Sequence, residues 1–159
     1  MLESRLQLIE DELALRRLIS AYTKRGDAFD WKGWSELFTE NAVFTVPGAF
    51  GTLRGRKEIH DIPKARIDGV FAATQHYIVN LDFDIKGDSA EGTGSLIYAA
   101  VADNNKPSEY YMSGGRYKWT FSRTKTGWLI AKAHLDFLWN NASGADSVFV
   151  AEDSAASTG

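Results

Sequence analysis

The sequence predicts an α+β fold in which N-terminal helices pack in the concave face of a curved, mainly antiparallel sheet. Apolar residues recur at helical spacing in the first part of the chain, and four β-rich runs then follow one another from about residue 72, joined by short polar turns. The last run alternates: Leu129, Ala131, Ala133, Leu135, Phe137 and Trp139 share one face, and Lys132, His134 and Asp136 share the other. One greasy and one wet face is the pattern of an antiparallel sheet laid over helices.

Each element has its own signal. In "LESRLQLIEDELALRRLISAY" the residues Leu6, Ile9, Leu13, Leu18, Ile19 and Tyr22 recur at threes and fours with occasional fives, with charges between them, so an amphipathic helix is expected with Gly26 as its stop. "DWKGWSELF" restarts helical spacing with Asp30 as N-cap and Trp31, Trp34 and Phe38 along one side. "AVFTV" reads as a short strand closed by "PGAFG", and "RGRKEIHDI" as one or two helical turns that Pro63 interrupts or restarts. The four long β runs are "AATQHYIVNLDFDI", "SAEGTGSLIYAAVA", "SEYYMSGGRYKWTFSRT" and "GWLIAKAHLDFLW", separated by "KGD", "DNNKP" and "KTG". Residues 1–140 read as a single domain, and the small, polar, acidic stretch 141–159 as a mobile C-terminal tail.

Composition narrows the function classes. The 159 residues are 44% hydrophobic and carry 18 basic against 21 acidic side chains, a net charge of −3 with the signs interspersed, so no basic stripe invites nucleic acid. With no cysteine, thiolate nucleophiles and thiolate metal sites are excluded. The opening segment is too charged for a secretory signal and no apolar run reaches membrane-spanning length, so a cytoplasmic protein with no membrane partner is expected.

A sheet curling over helices leaves an apolar hollow suited to a small molecule. The polar candidates that could point into it are Tyr22, Asp27 and His76, the last in the strand "TQHYIVN". Each has a plain alternative: His76 as a hydrogen-bonded core histidine, Asp27 as a solvated residue after Gly26, Tyr22 as a continuation of the apolar stripe. Asp30 competes with Asp27, but its place before "WKGWSELF" is already explained by capping. His60 and His134 read as surface residues, and the proximity of His134 to Asp136 in sequence does not point to a second dyad.

The order "AYTKRGDAFDWKGWSELF", "TQHYIVN", "GRYKWTFSRTKTGWLIAKA" resembles the SnoaL-like proteins of the cystatin-like (NTF2-like) superfamily. Within it the chain is most similar to the branch containing scytalone dehydratase, hexachlorocyclohexane dehydrochlorinase and the bile-acid 7α-dehydratase, over roughly residues 5 to 140. The resemblance implies a cone-shaped fold and an Asp27–His76 dyad, with Tyr22 at the place of the bile-acid enzyme's tyrosine. It also implies a pocket wall of Phe44, Leu96, Tyr98, Gly115, Tyr117, Leu135 and Phe137, Gly115 and Tyr117 standing where scytalone dehydratase presents a serine and an asparagine. Three helpers of the branch are replaced: a strand histidine falls near Ala100, an arginine on Ala133, and the tyrosine before the dehydratase's Asp on Gly26.

The implied activity is that of a cofactor-independent lyase of the dehydratase type, or an isomerase, working by His/Asp general acid-base catalysis with no metal. Its substrate would be a small cyclic, mostly apolar oxygenated molecule. The alternatives are a binding protein that keeps the cavity without turnover, and a structural subunit like the β-subunits of ring-hydroxylating dioxygenases. Assembly as a homodimer or homotrimer is expected.

Overall fold

The computed structural model describes residues 1–141. In chain order the elements are α1 (Leu2–Asp27), α2 (Trp31–Ser35), β1 (Phe38–Val46), β2 (Gly51–Arg54), α3 (Gly55–Ile67), β3 (Ala73–Lys86), β4 (Ser89–Val101), β5 (Tyr110–Thr124) and β6 (Gly127–Asn140). The strands form a sheet in the order β2-β1-β6-β5-β4-β3, in which β1 runs parallel to β6 and the other neighbours are antiparallel. This is the α+β architecture that the sequence predicts, with a second strand, β2, after "PGAFG". The mobile tail expected at 141–159 falls, beyond Asn141, outside the described residues.

Only the second half of the stripe that the spacing singles out on α1 is packed. Leu18, Ile19 and Tyr22 are buried, together with Asp11 and Leu15, but Leu6, Ile9 and Leu13 are 54, 58 and 49% exposed. The row Asp11–Leu15–Leu18–Tyr22 has the same three-and-four spacing as the exposed row, and the acid that opens it hides it from a reading based on hydrophobicity.

Asp11 is buried because it is fully engaged. Its carboxylate accepts two parallel bonds from Arg123 (2.7 Å each), one from Trp128 Nε1 (3.1 Å) and one from Gln7 (3.2 Å). Arg123 also donates to Asp88 at 2.8 Å and lies over the Trp128 ring, 4.5 Å from its centroid. This clamp joins α1 to the ends of β5 and β6 and to the β3–β4 turn.

Gly26 does not stop α1, which runs on to Asp27. The chain reverses through Phe29, whose φ is 55°. Asp30 caps α2 as expected, accepting from the Gly33 N–H at 2.9 Å. Pro63 does not break its helix either: α3 is continuous from Gly55 to Ile67 with Pro63 buried inside it.

The face of β6 switches midway. Thr120 pairs with Lys132 but Phe121 pairs with Ile130, so Ala131 is an extra residue in the ladder. Trp128 and Ile130 are therefore buried, where alternation assigned Leu129 and Ala131; beyond the bulge Ala133 and Leu135 face inward as expected. A second shift, between Gly114↔Trp139 and Gly115↔Phe137, turns Trp139 onto the opposite face, where its ring covers Gly114 and stays 47% exposed. His134 and Asp136 lie on that outer side and bond to each other at 2.8 Å, both substantially exposed. His60 is half-buried and bonded to Asp61.

Gly115, expected in the pocket wall, is roofed over instead. A Cβ there would lie 2.6 Å from the Asp136 carbonyl oxygen and 2.9 Å from Leu135 Cδ1. β5 and β6 approach so closely at the second shift that no side chain fits between them.

Gly115→Ala is accordingly expected to destabilise the fold by about 1–3 kcal/mol, seen as a lower urea midpoint. For Asp11, the Arg123 guanidinium holds the carboxyl down at about 2, against 3.8 when free. A carboxyl depressed in the folded state contributes fully above about pH 4, and the contribution is lost as pH falls through about 2. Urea unfolding of Asp11→Asn should show a loss of roughly 2 kcal/mol at pH 7 and a shallower decline between pH 4 and pH 2 than the parent chain.

Candidate active site

The end of α1 meets the start of β3 at a single carboxylate. Asp27 Oδ1 is 2.6 Å from His76 Nδ1 and accepts from Thr74 Oγ1 at 3.2 Å, while Oδ2 accepts the His76 backbone N–H at 3.0 Å. Thr74 and His76 are two apart on a strand, so both side chains take the inner face. In a neutral imidazole, a carboxylate beside Nδ1 favours the ring proton on that nitrogen and the lone pair on Nε2. Among the described residues His76 has no second side-chain partner, and its ring lines a cavity. Both side chains of the pair are about one-fifth exposed.

The cavity sits between the helices and the concave face of the sheet and opens to solvent. Of the residues expected in its wall, Phe44, Leu96, Tyr98, Tyr117, Leu135 and Phe137 line it, as do Tyr22 and His76; Gly115 does not. Sequence reasoning missed the contributions of α2 (Trp31, Trp34), of the β1 end and turn (Val46, Ala49, Phe50), of α3 (Pro63, Ile67), and Thr74. Thr74 could have been found by strand parity with His76. The tryptophans were marked as one helix face, but which neighbour that face meets is a tertiary matter.

The base of the cavity is aromatic: Trp34 lies within 5.2 Å of Tyr22, 5.1 Å of Phe38 and 5.8 Å of Phe44, centroid to centroid. The Tyr22 and Tyr117 hydroxyls bond to each other at 2.9 Å. Burial pushes both phenols well above the usual phenol range, so each stays protonated. Tyr22 is thereby engaged with Tyr117 rather than with the dyad. Tyr98, cross-strand from His76, has its ring 4.7 Å from the imidazole, and its buried hydroxyl has no hydrogen-bond partner among the described residues.

Three positions at which the resemblance implies larger polar side chains hold small residues here. Ala100 and Ala133 are buried, and Gly26 lines the cavity next to Trp34 and His76. The polar side chains at the cavity and its edge are His76 with its partner Asp27, Thr74 and the tyrosines. Among the described residues no group of three or more His, Asp or Glu side chains could hold a metal ion, and no helix is long and apolar enough to cross a membrane.

An NTF2-like protein with a cystatin-like fold from Novosphingobium aromaticivorans superposes with a TM-score of 0.74 at 24% identity, covering 94% of this chain and 94% of that one. The hexachlorocyclohexane dehydrochlorinase LinA-type3 of Novosphingobium barchaimii LL02 gives 0.75 at 18% identity over 86% and 92%. A protein provisionally named a scytalone dehydratase, from Novosphingobium aromaticivorans DSM 12444, gives 0.72 at 18% over 91% and 93%. At these identities the likeness is one of fold. No curated protein matches the chain. The family model of the SnoaL-like domain matches residues 7–134, from within α1 to the middle of β6. The chain belongs to the SnoaL-like domain family.

Proposed function

We propose that the protein is a lyase of the dehydratase type, or an isomerase, that moves protons at carbon on a small cyclic, mostly apolar oxygenated molecule without a cofactor. The observation that carries this reading is the 2.6 Å contact between Asp27 and His76 at the edge of an aromatic cavity. Nε2 of His76 takes a proton from the carbon next to an electron-withdrawing group. Asp27 fixes the tautomer and stabilises the imidazolium that forms. In elimination, the carbon–carbon double bond forms as the bond to the β-oxygen breaks, and the imidazolium returns its proton to the leaving hydroxide, releasing water. In isomerisation the same proton goes to a different carbon. One imidazole serving as base and then acid keeps both events on one face of the substrate.

The names of two structural neighbours, a dehydrochlorinase and a scytalone dehydratase, are names of eliminations and support the reading at the level of reaction type. A cavity kept only for binding needs no carboxylate aimed at a ring nitrogen.

The test is turnover of a panel of cyclic β-hydroxy ketones, followed by absorbance of the conjugated product, with deuterium uptake from D₂O at the α-carbon as a second readout. His76→Ala should remove activity. Asp27→Asn should lower it about 10²- to 10⁴-fold while the variant still unfolds cooperatively. Turnover or exchange that survives both substitutions would overturn the assignment.

A further inference from the structure

Residues 1–10 are all exposed, so the opening turns of α1 stand clear of the body, which the helix joins at Asp11. A wholly polar surface would suit such an arm, yet Leu2, Leu6, Ile9 and Leu13 lie open to solvent along it. Their spacing of four, three and four residues is that of the a and d positions of a heptad. With successive residues about 100° apart around the axis, this row falls on the side of α1 opposite the buried row Asp11, Leu15, Leu18 and Tyr22. An exposed apolar stripe bordered by charge is the mark of an interaction surface.

The row has a definite end. Its next two positions are Arg16 and Ser20, and Arg16 turns aside to bond Glu12 at 2.7 Å and to lie over the Phe83 ring, 5.6 Å from its centroid. Every position flanking the row from Glu3 to Arg17 is charged: Glu3, Arg5, Glu10, Glu12 and Arg17. Leu8, also exposed, stands outside the row. A stripe this narrow fits one partner helix, since a third or fourth strand would bury the flanking charges.

Those charges also choose the partner and its direction. If two copies of α1 pair in parallel, Arg5 meets Glu10 of the second copy and Glu12 meets its Arg17, and symmetry makes each attractive pair twice. In an antiparallel pair Arg5 would meet Glu12, but Glu3 would meet Glu10, a like-charge contact. Among the described residues Arg5, Glu10 and Arg17 have no ion-pair partner within their own chain. The packed half of α1 has already met the cost of helix nucleation, so the arm is ordered before a partner arrives.

We infer that the projecting end of α1 is an interaction surface for a second copy of this chain, the two helices pairing in parallel along Leu2, Leu6, Ile9 and Leu13. The bodies lie on the far sides of the paired helices, and Asp27 is about 21 Å further along the axis than Leu13, so the cavities stay accessible. Four apolar side chains from each copy make a small interface, and the dimer is accordingly reversible, with a dissociation constant roughly in the micromolar range.

Sedimentation velocity of the full chain between about 1 and 500 µM tests this, together with oxidation of single-cysteine variants, for which the cysteine-free sequence gives a clean background. The parent chain should pass from monomer to dimer as concentration rises. Ile9→Glu should remain monomeric at every concentration and, as the side chain is exposed, unfold at the same temperature as dilute parent. Arg5→Glu should weaken the dimer about tenfold, and adding Glu10→Arg should restore it. Leu13→Cys should form a disulfide-linked dimer in air, as equal positions face each other in a parallel pair, whereas Leu8→Cys should not. A parent chain that stays monomeric overturns the inference, as does assembly indifferent to Ile9→Glu, which would place the contact on another face such as the outside of the sheet. Failure of Glu10→Arg to rescue Arg5→Glu, or of Leu13→Cys to cross-link, overturns the parallel pairing.

Discussion

A single carboxylate at the end of α1 organises this molecule's polar interior. Asp27 sits where the unpaired carbonyls of a 26-residue helix concentrate partial negative charge, an unfavourable place for an acid. It is stable there because the start of β3 supplies three donors: the His76 amide, the His76 ring and the Thr74 hydroxyl. The same bonds that satisfy the carboxylate dock the helix against an edge strand and set the imidazole's angle. Fold and site are thus joined through one group.

The second tie, Asp11 with Arg123, Trp128 and Gln7, lies about four and a half helical turns away along α1. Between the two acids run Leu15, Leu18, Ile19 and Tyr22, all buried. α1 is therefore pinned at both ends of its packed length by charge and along the middle by apolar contact. The division suits the cavity: hydrocarbon packing alone would let the helix slide or turn by small steps, while two directional anchors hold Asp27 in register with β3.

How much of this could be read from the sequence depended on how many explanations each segment allowed. The helix-then-meander order and the strand turns were legible because Gly, Asn and Asp cluster between long β runs. The cavity wall and the Asp27–His76 pairing came from resemblance, since 49 residues separate the two and no spacing rule brings them together. Where both phases of a strand are apolar, alternation cannot choose. In "WLIA" either Trp128 and Ile130 or Leu129 and Ala131 could face inward, and the bulge at Ala131 decides; past Lys132 only one phase is apolar and the reading held. "LW" at 138–139 is ambiguous in the same way, and a second register shift puts Trp139 outside. On α1, two rows of equal spacing competed and the buried one opened with an aspartate. The orphan hydroxyl of Tyr98 is invisible to any sequence argument, because it is defined by what its neighbours fail to offer.

Pro63 gives the cavity walls unequal stiffness. Lying inside α3 rather than at its first turn, it deprives the helix of one N–H and hence of one rung of its hydrogen-bond ladder. Pro63 and Ile67 line the cavity on that side, while on the sheet side β4 and β5 are joined by an uninterrupted ladder. A guest broader than the cavity would meet its more yielding boundary at the helix with the missing rung.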